Sequence, residues 1–306
     1  MNTRRLGSLE VTEVGVGCNN FGRRIDEAAS IAVVHAALDA GINFFDTADI
    51  YGETLSEQIL GKALGARRGE ALIATKFGHK IDEERKGAHP DYIKRAAEDS
   101  LRRLGTDYID LYQLHTPDAS VPIADTLGAL NELVAAGKVR EIGCSNFSVA
   151  QLREAEEAVQ PGAAKFASVQ NHYSLFYNAA EQPVIEECRR TGMGYLPFFP
   201  LASGLLTGKH RLGQPTVEGT RLSGTPRGNE LLTEQNLTIV ENLITYAGDH
   251  GHTILELAFG WLLWHEMIPS VIAGATTPAQ INANVAAATW YLTDVEIAEI
   301  NGIVSP

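Results

Sequence analysis

Short apolar runs alternate along the chain with longer stretches in which apolar residues recur three and four positions apart. The runs are typical of strands buried on both faces, and the stretches are typical of amphipathic helices. Strands are expected at 11–17, 42–47, 71–77, 108–115, 139–146, 166–173, 193–199 and 268–275. Helices are expected near 26–40, 55–65, 90–104, 122–136, 148–159, 180–191 and 233–264, followed by a last pair at 277–288 and 293–302.

Turn and capping residues refine these boundaries. The Gly7-Ser8 pair within the first dozen residues indicates a short N-terminal hairpin. Residues 248–251 are expected to divide the 233–264 stretch into two helices. The expected helix starts are Asp91 and Thr277-Pro278, and the expected stops are Gly41, Gly105 and Gly137.

The regular alternation of eight strands with helices predicts the architecture. Parallel βαβ units bury their strands on both faces, and eight such units close into a ring without an unpaired edge. We therefore expect an α/β fold, a (β/α)8 TIM barrel with an N-terminal β-hairpin, as a single domain over residues 1–306. A doubly wound open sheet is the second choice. The long loop near 201–232 is expected to be a lid, a binding loop or a disordered segment.

Composition narrows the classes of partner. The 306 residues carry a net charge of −13, which argues against an electrostatic contact with nucleic acid. The chain has three cysteines and no C-x-x-C pair, so neither a disulfide scaffold nor a zinc site is favoured. This cysteine content is typical of a protein in a reducing compartment. No apolar run approaches the ~20 residues of a membrane span. We expect a cytoplasmic protein without a metal, whose partner is a small molecule and whose oligomeric state the sequence does not indicate.

Four chemically active side chains stand where predicted strands end. Asp46, Lys76 and His115 end three successive strands, and Tyr51 follows in the loop after Asp46. Successive parallel strands lie ~4.8 Å apart, so these side chains are expected to meet at one end of the barrel. Each has an ordinary alternative, such as a turn cap or a solvated strand end. Taken together the alternatives are weaker, because Lys76 ends an apolar strand and a buried ammonium needs a partner.

The group has the chemistry of a tuned proton donor. A free tyrosine has a pKa of ~10, too high for efficient proton transfer at neutral pH. An ammonium ~4 Å away stabilises a phenolate by about 4 kcal/mol at an effective dielectric constant of ~20. Asp46 would hold Lys76 charged and in place, and His115 would orient a carbonyl oxygen toward Tyr51.

Seven stretches of the chain, in order, resemble the aldo-keto reductases. They are FDTADIYG (45–52), ATKFG (74–78), DYIDLYQLHTPD (107–118), IGCSNF (142–147), QNHYSLF (170–176), FFPLASGLLTGK (198–209) and GATTPAQINANV (274–285). The resemblance extends from the N-terminal hairpin to the final helix. It implies a TIM barrel that reduces aldehydes and ketones to alcohols with a nicotinamide cofactor and without a metal.

The resemblance assigns a role to each candidate residue. Tyr51 becomes the general acid, Lys76 lowers its pKa, Asp46 pairs with Lys76, and His115 positions the carbonyl. Asn19, Tyr51 and His115 are expected to contact the substrate. The expected cofactor contacts are Gly17, Cys18, Ser145, Asn146, Gln170, Phe198, Pro200, Leu201, Ser203, Leu205, Lys209, Ala275, Thr276, Thr277, Gln280 and Asn284.

By this resemblance the nicotinamide end of the cofactor has its own residues. Ser145, Asn146 and Gln170 would hold the carboxamide, and Phe198 would stack on the ring where relatives commonly carry tyrosine. The alternative for Ser145 and Asn146 is a helix N-cap, for which Ser148 is an equally good candidate. The alternative for Phe198 is packing in the core.

At the phosphate end, segment 200–209 would cross the pyrophosphate. Arg211, Arg221 and Arg227 in the long loop either join it or remain solvated loop cations. Relatives that prefer NADPH commonly place Lys or Arg near the last barrel strand, yet residues 269–306 contain no Lys or Arg. We therefore expect NADP(H) from the family pattern, with weakened discrimination against NAD(H).

Rival functions stay open at this point. The stretch GVGCNNFG (15–22) has two glycines spaced as in a dinucleotide-binding sheet, but its third glycine is misplaced. The reductase fold also serves as a cofactor-binding accessory subunit of potassium channels, with little turnover. A metal-dependent barrel hydrolase is disfavoured, because no His, Asp and Glu cluster with ligand spacing stands at the strand ends. Asn19 and Asn20, where relatives often carry apolar or aromatic residues, indicate a polar substrate.

Overall fold

The computed structural model of the protein describes residues 1–304. Its β-strands are β1 Thr3–Leu6, β2 Leu9–Thr12, β3 Val14–Gly17, β4 Phe44–Asp46, β5 Leu72–Phe77, β6 Ile109–Leu114, β7 Val139–Ser145, β8 Phe166–His172, β9 Gly194–Phe198 and β10 Val271–Gly274. Its α-helices are α1 Glu27–Asp39, α2 Leu55–Leu64, α3 Pro90–Leu104, α4 Ile123–Ala135, α5 Val149–Ala158, α6 Gln182–Thr191, α7 Pro226–Leu231, α8 Glu234–Asp249, α9 Ile254–Leu263, α10 Pro278–Ala287 and α11 Asp294–Val304.

Strands β3 to β10 form one parallel sheet of eight strands, in the spatial order β10, β3, β4, β5, β6, β7, β8, β9. The two ends of this row lie side by side, which nearly closes the ring. There the Tyr195 N–H donates to the Met267 carbonyl in the segment that leads into β10 (2.7 Å). Helices surround the ring, so the predicted (β/α)8 barrel is confirmed.

The N-terminal hairpin covers the amino-terminal end of the barrel. β1 and β2 pair in antiparallel fashion, with Leu6 opposite Leu9. Both leucines are fully buried and pack into the apolar interior of the barrel. The interior cluster that receives them consists of Phe44, Ala74, Leu111, Leu196 and Ile272. The predicted hairpin is therefore confirmed, and it supplies part of the core.

The prediction of a single strand at 11–17 is wrong in one respect. The chain bends at Glu13, so this stretch belongs to two strands, β2 and β3. Residues up to Thr12 pair within the hairpin, and those from Val14 onward pair within the barrel. Arg4 holds the bend, since its Nε donates to Glu13 Oε1 (2.8 Å). The Arg4 guanidinium also donates to three carbonyl oxygens, one from the last residue of α9 and two from the segment after it. These contacts are remote in sequence, so local strand propensity does not reveal the bend.

The predicted helices are present, with one start placed differently. The 233–264 stretch divides as predicted, and Thr253 with Glu256 forms a capping box at the start of α9. α3 begins at Pro90 with His89 as its N-cap, so Asp91 lies in the first turn and not before it. The long loop contains a 3-10 segment, Ala202–Thr207, and the short helix α7.

Among residues 1–304, no helix is both long and apolar enough to cross a lipid bilayer.

We predict that Leu9→Ala destabilises the fold, because it leaves a cavity where the hairpin enters the barrel. The free energy of unfolding should fall by about 2–5 kcal/mol. Urea denaturation of both proteins would measure the shift in midpoint. Val295→Ala is the control, since Val295 is 67% exposed. Equal midpoints for Leu9→Ala and the control would show that the hairpin contributes little to the core.

Candidate active site

A cavity of about 870 Å³ opens at the carboxyl end of the barrel strands. Parallel pairing aligns the strand ends there, with Gly17 opposite Asp46 and Ser145 opposite Gln170. Chemistry in (β/α)8 barrels is found at this end. Asp46, Tyr51 and His115 line the cavity, while Lys76 lies behind them and is fully buried.

The Lys76 ammonium touches three oxygen atoms. Its Nζ lies 2.7 Å from Asp46 Oδ2, 2.8 Å from the Thr47 carbonyl oxygen and 3.5 Å from the Tyr51 hydroxyl. Burial lowers the pKa of Lys76, but the negative charge of Asp46 and the contact with Tyr51 raise it by more. The ammonium therefore stays charged in the interior, and the predicted proximity of these side chains is confirmed.

Asp46 is held on its other side by two amides. Gln170 Nε2 donates to Asp46 Oδ1 (2.9 Å), and Gln113 Nε2 lies 3.4 Å from the same oxygen. Gln113 was not identified from the sequence. A signal was available, since Gln113 lies two residues before His115 on β6 and alternate strand residues point to the same side.

Tyr51 is fixed by the loop that follows β4. The Asp49 N–H donates to the Lys76 carbonyl (3.1 Å), which ties this loop to the end of β5. Gly52 has φ +58°, and a Cβ at this position would lie 2.5 Å from the Phe21 carbonyl oxygen. Only glycine therefore allows this loop to approach the loop after β3 so closely, and this gives Tyr51 a defined position.

The sequence led us to expect that Lys76 lowers the pKa of Tyr51 overall, and in the structure this pKa is raised. Burial raises the pKa of Tyr51, Lys76 lowers it, and Asp46 raises it again, so the net change is upward. The effect of Lys76 has the predicted sign. This lowering is outweighed, because the phenol is buried and the Lys76 ammonium is already paired with the Asp46 carboxylate.

His115 is a neutral imidazole in the wall of the cavity. Burial, and after it the charge of Lys76, hold the pKa of His115 well below its usual value. Its Nδ1 is buried without a hydrogen-bond partner among residues 1–304. The ring centroid lies 5.8 Å from that of Tyr51 and 4.2 Å from that of His79, which also lines the cavity. His79 was not identified from the sequence.

The three residues expected at a nicotinamide carboxamide lie together on the cavity wall. Ser145 Oγ donates to the Gln170 carbonyl (2.6 Å), and Asn146 Nδ2 donates to the His115 carbonyl (2.9 Å). Within residues 1–304, the amide oxygens of Asn146 and Gln170 accept no hydrogen bond from the protein. The alternative N-cap role belongs to Ser148, which forms a capping box with Gln151 at the start of α5.

Phe198 lines the cavity at the end of β9 and is not part of the closed core. Its ring lies nearly parallel to His172, with centroids 5.4 Å apart and planes 9° apart. Tyr177 stacks on the same imidazole at 4.0 Å. Phe198 therefore has a supported, partly exposed aromatic ring beside the polar residues of β7 and β8.

The expected phosphate and adenosine residues divide into two groups. The residues that line the cavity are Gly17, Pro200, Leu201, Ser203, Lys209, Thr276, Gln280 and Asn284. The substrate candidate Asn19 also lines it. Those that do not line it are Cys18, Leu205, Ala275 and Thr277. The first three of the second group are buried in the core, and Thr277 is the N-cap of α10.

Known proteins resemble the chain over nearly its whole length. A model of the Aldo/keto reductase family matches residues 13–305. The chain belongs to this family. A probable aldo-keto reductase 1 of Glycine max is 34% identical over 308 aligned positions, covering 97% of this chain and 87% of that protein.

Solved structures agree with this family. A glycerol dehydrogenase of Gluconobacter oxydans superposes with a TM-score of 0.86 and 29% identity, covering 99% of this chain and 95% of that chain. An aldo-keto reductase of Bacillus halodurans, in its holo form, superposes with a TM-score of 0.81 and 32% identity, covering 99% and 96%. The family assignment supports oxidoreductase activity, and aldo-keto reductases use nicotinamide cofactors.

This aldo-keto reductase has a second buried acid in the Tyr51 loop. Asp49 is 1% exposed, and neither of its carboxyl oxygens has a hydrogen-bond partner within residues 1–304. Burial, and after it the negative charge of Glu57, raise the pKa of Asp49 to about 7 against the opposing charge of Arg103. The folded protein therefore keeps Asp49 protonated over a range in which an exposed carboxyl group is ionised.

We predict that Asp49→Asn flattens the pH dependence of stability. An aspartate titrates near 3.8 when exposed and Asp49 near 7 in the fold, so the folded state holds one more proton between these values. Stability then falls as the pH rises through this window, and a neutral Asn removes this loss. Urea midpoints between about pH 4 and 7 would measure the slope. The exposed Asp249→Asn is the control, and equal slopes in all three proteins would contradict a protonated Asp49.

Proposed function

We propose that this protein reduces aldehydes and ketones to alcohols with NADP(H), and to a lesser extent with NAD(H). The observation that carries the proposal is the contact of one buried ammonium, Lys76, with both a carboxylate and the Tyr51 hydroxyl in the wall of the cavity. We further propose that residues 1–306 act as one cytoplasmic domain on a small carbonyl compound. The uninterrupted alternation of strands and helices around the ring supports one domain.

In this proposal Tyr51 is the general acid. A nicotinamide cofactor, when bound, would supply a hydride to the carbonyl carbon. The substrate oxygen then becomes an alkoxide, which is a much stronger base than a phenolate. A raised pKa keeps Tyr51 protonated at neutral pH, and it can still give its proton to so strong a base. Lys76 then stabilises the phenolate that remains, at a distance of 3.5 Å.

His115 would orient the carbonyl. Because its imidazole is neutral, one ring nitrogen carries a hydrogen and can donate to the substrate oxygen. Its Nδ1 is buried without a protein partner, so Nε2 is the nitrogen that we assign to the cavity side. An oxygen held between His115 and Tyr51 would be ready for proton transfer.

The residues present fit a nicotinamide cofactor. The free amide oxygens of Asn146 and Gln170 can accept from a carboxamide, with Ser145 beside them, and the Phe198 ring offers a face for stacking. Ser203 Oγ is buried beside the cavity without a partner in residues 1–304, which suits a hydrogen bond to a ligand oxygen. The remaining cofactor candidates are Gly17, Cys18, Pro200, Leu201, Leu205, Lys209, Ala275, Thr276, Thr277, Gln280 and Asn284. Of these, we propose direct contact for the residues that line the cavity.

We predict that Tyr51→Phe abolishes carbonyl reduction but still binds coenzyme. In a stopped-flow experiment, wild-type protein carrying NADPH should oxidise it when mixed with 4-nitrobenzaldehyde, and Tyr51→Phe should not. Quenching of intrinsic fluorescence would report coenzyme binding in both proteins. Tyr246→Phe also removes one phenolic hydroxyl, but on α8 at the surface, and serves as the control.

Two outcomes would contradict this proposal. Retained turnover in Tyr51→Phe would remove Tyr51 as the acid. Stable NADPH in the wild-type protein over minutes, with coenzyme bound, would favour the accessory-subunit alternative.

We predict a modest preference for NADPH over NADH. Residues 269–306 provide no Lys or Arg for an adenosine 2′-phosphate, and Gln280 and Asn284 offer only amides beside the cavity. An amide gives weaker and less selective contacts to a dianion than a bidentate guanidinium does. The ratio of kcat/KM for the two coenzymes measures this preference. A ratio above about a thousandfold, or about 4 kcal/mol, would show that another cation provides the selectivity.

A further inference from the structure

One imidazole in the cavity wall has no role in the proposed mechanism. His79 follows β5, lines the cavity and is partly exposed. Its ring centroid lies 4.2 Å from that of His115, with the two planes 81° apart. Within residues 1–304, the ring nitrogens of His79 form no hydrogen bond and no ion pair with another residue. A polar ring beside the proposed carbonyl site is therefore free to bind a ligand.

The backbone fixes His79 beside His115. The His115 N–H donates to the Phe77 carbonyl (2.8 Å), which joins the ends of β5 and β6. Gly78 has φ +104°, a conformation that favours glycine, and a Cβ there would lie 2.8 Å from Leu114 Cδ1. The chain therefore turns tightly against β6 at Gly78, and the next residue, His79, lies against the imidazole that follows β6.

The place of His79 in the ring separates it from the expected coenzyme residues. Counted from β9, β5 is the fourth strand through β8, β7 and β6, and also the fourth through β10, β3 and β4. Phe198, the expected stacking partner of the nicotinamide, ends β9, and the carboxamide candidates belong to β7 and β8 or follow β7. His79 instead stands between Tyr51, in the loop after β4, and His115, directly after β6. A substrate held between Tyr51 and His115 would therefore contact His79.

The ring of His79 is neutral near pH 7. Burial, and after it the positive charge of Lys76, lower the pKa of His79 from its ordinary value of 6.5. A neutral imidazole has one N–H donor and one acceptor nitrogen, and no protein partner fixes which nitrogen carries the hydrogen. A hydroxyl group suits either tautomer, because it can donate or accept. A carboxylate only accepts, and the neutral ring offers no charge to attract it.

We propose that His79 binds a hydroxyl group on the carbon next to the substrate carbonyl, so that this enzyme acts on α-hydroxy aldehydes and ketones. This inference rests on the proposed function, because it assigns the substrate class of the same cavity. Two rings this close can bind two oxygens on neighbouring carbons, each through a hydrogen bond of about 2.7–3.2 Å. His115 takes the carbonyl and His79 the hydroxyl. Holding both oxygens fixes the orientation of the carbonyl toward Tyr51.

The test compares aldehydes that differ only by the α-hydroxyl group. Glycolaldehyde is compared with acetaldehyde, and lactaldehyde with propionaldehyde, each at saturating NADPH. The hydration and intrinsic reactivity of an aldehyde are the same for every variant, so the kcat/KM ratio within a pair is compared between proteins.

Three variants separate the nitrogens of His79 from its ring. His79→Phe keeps an aromatic ring against His115 and removes both nitrogens, so the ratio should fall by about three- to tenfold, mainly through KM. His79→Gln keeps a donor and an acceptor and should restore most of the ratio. His250→Phe removes an exposed imidazole at the end of α8 and should leave the ratio as in the wild type.

An unchanged ratio in His79→Phe would overturn the proposal. So would an equal loss for both members of each pair, which would show that His79 only supports His115 or the fold. Fluorescence titration with NADPH should give similar dissociation constants for wild type and His79→Phe. A clearly raised dissociation constant in the variant would assign His79 to the coenzyme and also overturn the proposal.

An NMR titration tests the site if no aldehyde is reduced. In that case the proposed function has failed, and binding of 1,2-propanediol and 1-propanol to the NADP⁺ complex tests His79 by itself. The chain has only nine histidines, so the C2 proton resonance of His79 can be assigned by its absence in His79→Phe. A shift of this resonance with the diol and not with the monoalcohol would support the site. No shift with either compound, or equal shifts with both, would overturn it.

Discussion

The Lys76 ammonium has three N–H donors, and each meets an oxygen: Asp46 Oδ2, the Thr47 carbonyl and the Tyr51 hydroxyl. A buried ion pair loses the hydration of both partners, which costs several kcal/mol for each ion, and hydrogen bonds to the remaining polar atoms are needed to offset this cost. Asp46 completes the arrangement by accepting from Gln170 on its second oxygen. The pair can therefore remain charged in the interior, and it holds a cation beside a phenol without exposing it to water. The cavity chemistry that we propose depends on this contact.

The contact in turn depends on strand register. Asp46 and Lys76 belong to adjacent strands, β4 and β5, whose pairing begins with Phe44 opposite Leu72. A shift of one residue would turn the Lys76 side chain to the other face of the sheet. The loop after β4 must also return closely enough to bring Tyr51 to the ammonium, which Gly52 permits. The position of the proposed acid is thus largely a property of the backbone, and the apolar packing of the barrel maintains it.

Sequence patterns predicted the elements and their strand-end residues because both are encoded locally. Hydrophobic periodicity identifies strands and helices, and parallel strands must bring their ends together. The features that the sequence pattern did not predict depend on contacts between residues distant in sequence. The bend at Glu13 is held by Arg4, and the second oxygen of Asp46 is bound by a residue of β8. The net pKa change of Tyr51 is a balance between burial and charge, and burial is known only from the three-dimensional structure.

The charge distribution shows why net charge is a poor guide to the ligand. The chain carries −13 overall, yet Arg24 and Arg221 both line the cavity and come from two regions about 200 residues apart in sequence. Salt screens exposed charges beyond about 8–10 Å, so acidic groups on the far surface do little to neutralise these guanidinium groups. A partly buried mouth with low-dielectric walls strengthens their local field and concentrates anions there. The net charge therefore says little about the ligand, because binding is set by the charges within a few ångströms of the cavity.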